Sequence, residues 1–563
     1  LDEEEERKSK LNVLRRDRRI AAETSARQMG KTIAETERIG RDAELEIHDE
    51  GPSNANRYRQ ALEAKDDDLI HGSLLVVRSI SEFRWEHAAP TRIGARMGRP
   101  EKAAPRMQTP TSHAMFPIAL TGGNQRLLKN SLLQKSISVQ VGRRTCTVCG
   151  KSTPFIRCHH SKTSNGQRGG LEEVCYGRSE GHAARDMSGR RRGEIQTVPL
   201  DSIVEHARIR LRLDHLPQSV KCVKSLRNES QTPEAIEKGI LRAKHNLPVF
   251  RDGTIRYDMS DVPITHFMPK EIGATWQKLV QLGYTHDIDG HELKSNEQMV
   301  EIYPQDFIIA KDAVDFFVRT AQYVDELLER YYNLPPYYNI INDDDLIGHL
   351  ICAIAPHTSG GVLSRIIGWT DSSGGFAHPI FHAAKRRNCD GDEDAILLLL
   401  DGLLNFSRDI LPSGRGGLMD APLVLTTRLN PTEVDKEALN VDTSWFYSSL
   451  FYEKTLEQPH PKDVLPYVDL VEHRLETVGA LRGYGYTHDC DAFDAGPDFS
   501  AYKTLETMED KMNGQLKLGH KLRSTDVRVV ASSVIRSHFL KDLRGNLNAY
   551  ARQKIRCVKC GHS

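Results

Sequence analysis

His382 to Leu400 reads HAAKRRNCDGDEDAILLLL. Three basic residues, Lys385, Arg386 and Arg387, run into carboxylates at every second position, Asp390, Asp392 and Asp394, and then into a purely aliphatic tail. Carboxylates spaced by two point the same way on an extended chain, and on a tight loop they can converge on a cation. A calcium loop of the EF-hand type needs Gly at its sixth position and a Glu at its twelfth. Counted from Asp390, those positions are Ala395 and Asp401, inside an apolar run, so calcium is disfavoured. Magnesium fits better, because it takes a few carboxylates together with substrate phosphates and, in pairs, clamps both the attacking and the leaving oxygen of a phosphoryl transfer. Such a site also needs cations for a polyanionic substrate, and the basic run is adjacent. The plainer alternative is a solvated loop capping a helix at 395–404. It explains the carboxylates through the helix dipole and leaves the basic run and Gly391 without a reason.

The rest of the chain is compatible with that chemistry. Its 563 residues allow roughly three or four domains. It is 39% hydrophobic and 27% charged, and Lys+Arg equals Asp+Glu at 77 each. Zero net charge argues against a uniformly basic nucleic-acid coat but permits a basic cleft balanced by acidic surfaces elsewhere. No run of apolar residues is long enough for a membrane span. The first residues, LDEEEERKSKLNVLRRDRR, are charged and lack an initiator Met, which argues against a secretory signal and predicts an internal piece of a longer protein.

Ten cysteines without a secretory signal read as thiols or metal ligands rather than a disulfide framework. Cys146 and Cys149 (CTVC) and Cys557 and Cys560 (CVKC) have ligand spacing and are each followed by Gly, as in zinc knuckles. Cys222, Cys352, Cys389 and Cys490 are isolated, and Cys352 reads as core.

Along the chain, residues 1–88 are charge-rich and helical in pattern without a strong apolar stripe, and 89–143 form a basic segment opening on an extended Gly/Pro loop. A Gly/Ser/Cys/His-rich module fills 144–190. Residues 191–345 alternate short apolar runs with turns, predicting a β-rich domain with interspersed helices. The clearest helix is 312–332, where Ala313, Phe317, Ala321, Val324, Leu328 and Tyr331 share one face. Residues 395–411 and 500–552 also read as helical, and APLVLTTRL at 421–429 as a buried strand. LGYTHDIDG at 282 is echoed by YGYTHDCDA at 484, too briefly to mark a repeat.

Several long motifs resemble the large subunit of the archaeal D-family DNA polymerase: HAAKRRNCDGDEDA, APHTSGGVLSRIIGW, GRGGLMDAPLVLTTRL, EKGILRAKHN, FRDGTIRYDMSDVPITHF and RIGARMGRPEKA. The resemblance runs from about Arg92 to Cys560. It implies an α+β multidomain chain built on a double-psi β-barrel catalytic core like that of multisubunit RNA polymerases, with helical insertions and zinc-binding modules. Residues 346–480 would carry the catalytic barrel segment, 481–554 a helical DNA-binding segment, and 555–563 the start of a truncated zinc module. Asn388, Asp390, Asp392 and Asp394 stand in the arrangement of the RNA polymerase signature. The resemblance implies two Mg²⁺ bound by Asp390 and Asp392, with Asn388 and Asp394 as further candidates.

A distant carboxylate, Asp252, Asp258 or Asp261, is a candidate to complete the site, although ordinary hairpin positions around Asp252-Gly253 explain these residues equally well. Lys385, Arg386 and Arg387 are candidates for triphosphate or primer phosphates. Arg96, Arg99, Lys102, Arg242 and Lys244 are candidate backbone clamps, joined by His357, Arg365 and Arg415 in Gly-flanked segments and by Arg544, Arg552 and Lys554 near the tail. In the family pattern a second Cys-x-x-Cys pair follows the first, whereas CHHS offers Cys158 and puts Ser161 at the last position. A Zn²⁺ site is therefore expected from Cys146, Cys149 and Cys158, with Cys175, His160 or His182 as the fourth ligand. The family also implies primer-template DNA and deoxynucleotides as substrates, a small subunit carrying 3′-5′ exonuclease activity, a sliding clamp bound through regions outside this chain, and a cytoplasmic, nucleoid-associated location. The competing reading is a non-catalytic zinc-containing scaffold that binds DNA and partner proteins.

Overall fold

The computed structural model describes residues 103–159, 175, 177–181, 193–228, 231–412, 415–429, 437–457, 459–486, 492–495, 504–521 and 526–553. The charged segment 1–88 lies outside them, as do Arg96, Arg99, Lys102, His160, His182, Lys554, Cys557 and Cys560. The chain divides into two compact units, Leu1–Asp498 and Phe499–Ser563.

The first unit is a mixed α+β body around a closed six-stranded barrel. Its strands are β1 (Tyr257–Pro263), β2 (Asp306–Ala310), β3 (Leu350–Ile354), β4 (Gly360–Thr370), β5 (Gly374–Ala377) and β6 (Glu393–Leu398). They run in the order β1-β5-β2-β4-β3-β6, and β6 pairs back onto β1 to close the ring. Pairing is parallel for β1–β5 and β2–β4 and antiparallel for the other four. Closure leaves no edge within the ring. The strands come from both sides of residue 345, so the expected β-rich and catalytic segments share one barrel.

The aliphatic tail of the opening motif is where the structure departs most from the sequence reading. Ala395, Ile396, Leu397 and Leu398 form β6, not a helix, and the helical turn starts only at Leu399. All four are buried. A short continuous apolar run does not by itself separate a strand buried on both faces from a helix; here the pairings of β6 with β3 and β1 decide it. Asp401 lies in the helix that follows, is fully buried, and accepts a hydrogen bond from the Ile255 N–H (2.8 Å).

Four helices position the barrel: α1 (Ile236–Lys244), α2 (Val314–Leu327), α3 (Pro379–Ala384) and α4 (Leu399–Asn405). In α2 the anticipated stripe faces the core: Phe317, Ala321 and Val324 are fully buried, and a π-helical turn at Leu328–Tyr332 extends it. The main core joins these residues to Tyr257, Met259, Phe307, Ile309, Ile351, Ile366 and Ile396 of the barrel strands. Cys352 is buried core as expected, and of the expected strand at 421–429 only Val424–Thr426 pairs, parallel to β4. The second unit is helical, with helices Met508–Lys521, Val527–Val534 and Leu540–Ala551. No helix among the described residues is long and apolar enough to cross a membrane.

Candidate active site and metal centre

The loop between α3 and β6 carries the acidic motif. Helix α3 begins at His378, whose ring accepts from the Ile380 N–H, with Pro379 at the first helical position. It ends at Lys385, and Arg386 turns the chain through the left-handed region with φ 60°. Helices commonly close this way, usually with Gly or Asn at that position. Gly391 has φ 109°, a conformation that a side chain disfavours, and so separates Asp390 from Asp392 by a sharp turn.

The alternating carboxylates fall into two environments. Asp390 and Asp392 are half-buried on the loop, and Asp392 Oδ2 lies 3.3 Å from Arg387 Nε. Asp394, already in β6, is fully buried. Its Oδ2 lies 2.5 Å from Lys385 Nζ, and Lys385 also donates to Asp261 Oδ1 of β1 at 2.7 Å. Asp390, Asp392 and Asp394 therefore do not converge as a three-carboxylate cage: no group of three ligand atoms from them meets within 4.8 Å. Burial, and then the adjacent Asp261 carboxylate, push Asp394 up to about 7. Burial works against the charge on Lys385, but Asp261 and Asp394 outweigh it and raise its pKa. His382 is driven well below its ordinary value by burial and by Lys385. Its Nε2 hydrogen-bonds the Val262 carbonyl (3.0 Å) and its Nδ1 lies 3.5 Å from Asp261.

Of the three distant carboxylates, Asp261 is the one brought to the motif. Asp252 is buried in an ion pair with Arg256 (2.5 Å), next to Gly253 with φ 94°, in a turn closed by the Phe250 N–H on the Thr254 carbonyl (2.8 Å). Asp258 faces Arg106 at 3.3 Å, and burial raises it to about 6 against the pull of that guanidinium.

The basic residues sort by burial in a way their sequence context conceals. Lys385 is committed to two buried carboxylates rather than free for a phosphate, which corrects the expectation, whereas Arg386 is exposed and Arg387 is partly so. Arg242 cannot be a DNA clamp: it is fully buried and donates to the carbonyls of His113 (3.0 Å) and Gly253 (2.8 Å) and to Glu234 (2.8 Å). Arg365 is engaged by Asp306 through Nε (2.9 Å) and Nη2 (2.8 Å) and by the Leu282 carbonyl. Lys244 is exposed and pairs with Glu326. His357 is in the left-handed region with φ 64°. Arg415 opens a short helix, Arg415–Leu418, its side chain outside the description. Arg544 and Arg552 are exposed on the helices of the second unit.

A second centre is assembled by the cysteines. Strands Arg144–Cys146, Ser152–Thr153 and Ser179–Gly181 form a small sheet, and the Cys146–Gly150 turn is closed by the Gly150 N–H on the Cys146 carbonyl. The ligand atoms of Cys146, Cys149, Cys158 and Cys175 all lie within 4.8 Å of one another, with Sγ–Sγ separations of 3.7 Å (Cys146–Cys175) and 3.5 Å (Cys149–Cys158). The N–H groups of Cys149 and Val148 point at Cys146 Sγ (3.5 and 3.4 Å) and bring its thiol down to about 7. Cys175 supplies the fourth sulfur where the CHHS segment has Ser161. Four soft donors at these separations could hold a metal ion. Sequence reading passed over a third group, Asp287, Asp289 and His291, whose ligand atoms also meet within 4.8 Å; its signal was the HDIDGH spacing inside the repeated turn.

Residues 213–511, more than half of the chain and including the barrel and the acidic loop, match the family described as the DNA polymerase II large subunit DP2, catalytic domain. The chain belongs to that family. Residues 28–171, which contain three of the four converging cysteines, match the central domain of the same large subunit. Curated relatives named DNA polymerase II large subunit agree. The protein from Methanococcoides burtonii is 48% identical over 510 residues, covering 88% of this chain and 44% of the relative. That from Methanocella arvoryzae is 48% identical over 488 residues, 84% of this chain and 42% of the relative. That from Pyrococcus furiosus is 44% identical over 479 residues, 83% and 38%. The chain thus spans less than half the length of the large subunits it matches.

Proposed function

We propose that this chain is the catalytic portion of a replicative DNA-directed DNA polymerase large subunit, joining deoxynucleotides to a primer by template-directed nucleotidyl transfer. The observation that carries the reading is the acidic loop of a DNA polymerase large-subunit catalytic domain, presenting Asp390 and Asp392 half-exposed on either side of Gly391, with Arg386 and Arg387 alongside. The barrel is read as the double-psi type of multisubunit RNA polymerases, on the strength of its six closed strands with mixed pairing and the acidic signature at the entry to β6.

The donor set suits magnesium. Asp390 and Asp392 offer hard carboxylate oxygens, and Asn388 Oδ1 is a buried acceptor with no hydrogen-bond partner. These three residues would hold the ions; Asp394, taken up by Lys385, is assigned to support. Two bound Mg²⁺ would supply charge neutralisation at the attacking 3′-oxygen and at the leaving pyrophosphate. The chain's own contribution is to fix those oxygens on a loop pinned between α3 and β6, and to present Arg386 and Arg387 toward a triphosphate or primer strand. Because the transferred phosphoryl group needs little covalent help, positioning and charge are the work the protein does.

The four-cysteine centre is read as a structural Zn²⁺ site, closed by four thiolates and leaving no open position for substrate. Further partners are proposed from the family: a small subunit carrying the 3′-5′ exonuclease, and a sliding clamp reached through segments outside this chain. The test is primer extension by the complete two-subunit complex carrying Asp390→Ala or Asp392→Ala. Loss of synthesis in both, with primer-template binding retained, supports the reading; retained synthesis overturns it in favour of a non-catalytic DNA-binding scaffold.

A further inference from the structure

The acidic loop is fastened by residues that never reach the surface. Lys385 closes α3, Asp394 opens the buried part of β6, and between them run the eight positions from Arg386 to Glu393 that include Asn388, Asp390 and Asp392. Lys385 Nζ meets Asp394 Oδ2 at 2.5 Å, so the two ends of this excursion are tied side chain to side chain. Asp261 of β1 makes the knot three-way. Its Oδ1 accepts from Lys385 at 2.7 Å, and its backbone N–H donates to the carbonyl of Asp392 at 2.9 Å. His382, one turn back on α3, bonds the Val262 carbonyl and so fixes the same helix to the same strand.

Two further observations bear on this fastening. Arg386, immediately after Lys385, holds a left-handed conformation that non-glycine residues adopt only when their surroundings impose it. All three ionisable side chains of the knot are buried, with two carboxyl groups around one ammonium. The nearest further cation is Arg387, whose Nε lies 3.6 Å from Asp394 Oδ1 and 3.3 Å from Asp392 Oδ2. Arg387 thus links the buried acid to one of the half-exposed acids. Removing the lysine alone would leave two adjacent buried carboxyl groups without their cation, an expensive arrangement that the site could relieve by moving the loop or by taking up a proton.

We propose that Lys385, Asp261 and Asp394 are positioning residues that set the location of Asp390 and Asp392 and do not themselves touch nucleotide or primer. The inference rests on the polymerase reading above. It separates the basic residues of one run: Arg386 is exposed, Arg387 bridges Asp394 and Asp392, and Lys385 acts inward.

The experiment uses the complete large subunit with its small subunit, comparing Lys385→Met, Asp261→Asn, Lys385→Met/Asp261→Asn and Asp390→Ala. Three quantities are read: single-nucleotide incorporation kinetics, Mn²⁺ binding to the substrate-free complex by electron paramagnetic resonance, and thermal unfolding. Lys385→Met is expected to lower kcat by about tenfold or more and to weaken Mn²⁺ binding by about fivefold, while KM for the deoxynucleotide stays within about twofold, the pattern of a group acting on the site rather than on substrate. The double variant is expected to recover about half of the lost kcat, because removing Asp261's charge with the lysine leaves Asp394 balanced by Arg387. The isosteric Asp261→Asn keeps the fold and is expected to weaken Mn²⁺ binding less than Lys385→Met does. A rise in KM with kcat and Mn²⁺ binding unchanged would overturn the proposal and return Lys385 to phosphate contact, as would a double variant no better than Lys385→Met. Retained synthesis in Asp390→Ala would instead overturn the polymerase reading, whatever the lysine variants do.

Discussion

The cysteine centre and the acidic loop are both short motifs of closely spaced ligand residues, yet the fold treats them oppositely. Around Cys146 the protein brings four sulfurs within 4.8 Å of one another. Around Asp390 it holds the third acid of the series away, spending Asp394 on Lys385, and leaves Asp390 and Asp392 half-exposed. A closed set of donors suits a metal that stabilises a fold, and an incomplete set suits ions that share their coordination with a substrate. Closure, rather than ligand count, is what separates the two sites.

The comparison breaks most sharply at the open site. Asp390→Ala and Asp392→Ala should each reduce single-turnover primer extension by about a thousandfold or more, with the unfolding temperature almost unchanged, because half-exposed loop carboxylates contribute little to the core. At the closed site the effects should reverse. Cys146→Ser/Cys175→Ser should abolish binding of the zinc proposed for this centre, measured by metal analysis of the purified complex. It should also lower the stability of the 103–228 region by several kcal/mol, measured by hydrogen exchange, because metal-binding free energy is folding free energy in such modules.

Next in size is the contrast between buried and exposed basic residues. Arg242→Ala should cost about 3 to 5 kcal/mol in chemical denaturation, since it leaves Glu234 unpaired in the core, and should leave the salt dependence of DNA binding unchanged. Lys244→Ala, two positions away and exposed, should cost at most about 1 kcal/mol. The same cluster carries a pH dependence. Burial favours a neutral Glu326, but hydrogen bonds from His245 and Lys244 outweigh it and bring the carboxyl down to about 2, against about 4.3 for a free glutamate. Its folded pKa is depressed, so its contribution to stability is complete above about pH 4 and is lost as pH falls toward 2. Glu326→Gln should flatten that acid limb in unfolding curves taken between pH 2 and 5.

Helix α2 and the cysteine knuckle were legible in the sequence, for a shared reason. The stripe through Phe317, Ala321 and Val324 and the Cys146-x-x-Cys149 spacing are local periodicities, written in the covalent chain and satisfied within a few turns. Ile396 to Leu398 were not legible as a strand, because a run of buried aliphatic residues has no period; only pairing with β1 and β3 distinguishes it from a helix. Arg242 and Lys244 sit in one motif and look alike as cations, yet one is enclosed by His113, Glu234 and Gly253 and the other is at the surface. Local sequence does not encode that difference, because Arg242 is enclosed partly by His113, 129 residues away.

By itself the sequence determined the chemistry available: which oxygens and sulfurs exist, their spacing along the chain, and the family to which they belong. The tertiary structure alone decided how those groups are used. Asp261 reaches Lys385 across 124 residues of chain, and Cys175 reaches Cys146 across 29. Charge burial and ligand convergence are properties of three-dimensional neighbours: barrel closure supplies them at the acidic loop by bringing β1 against β6, and the small sheet supplies them around Cys146.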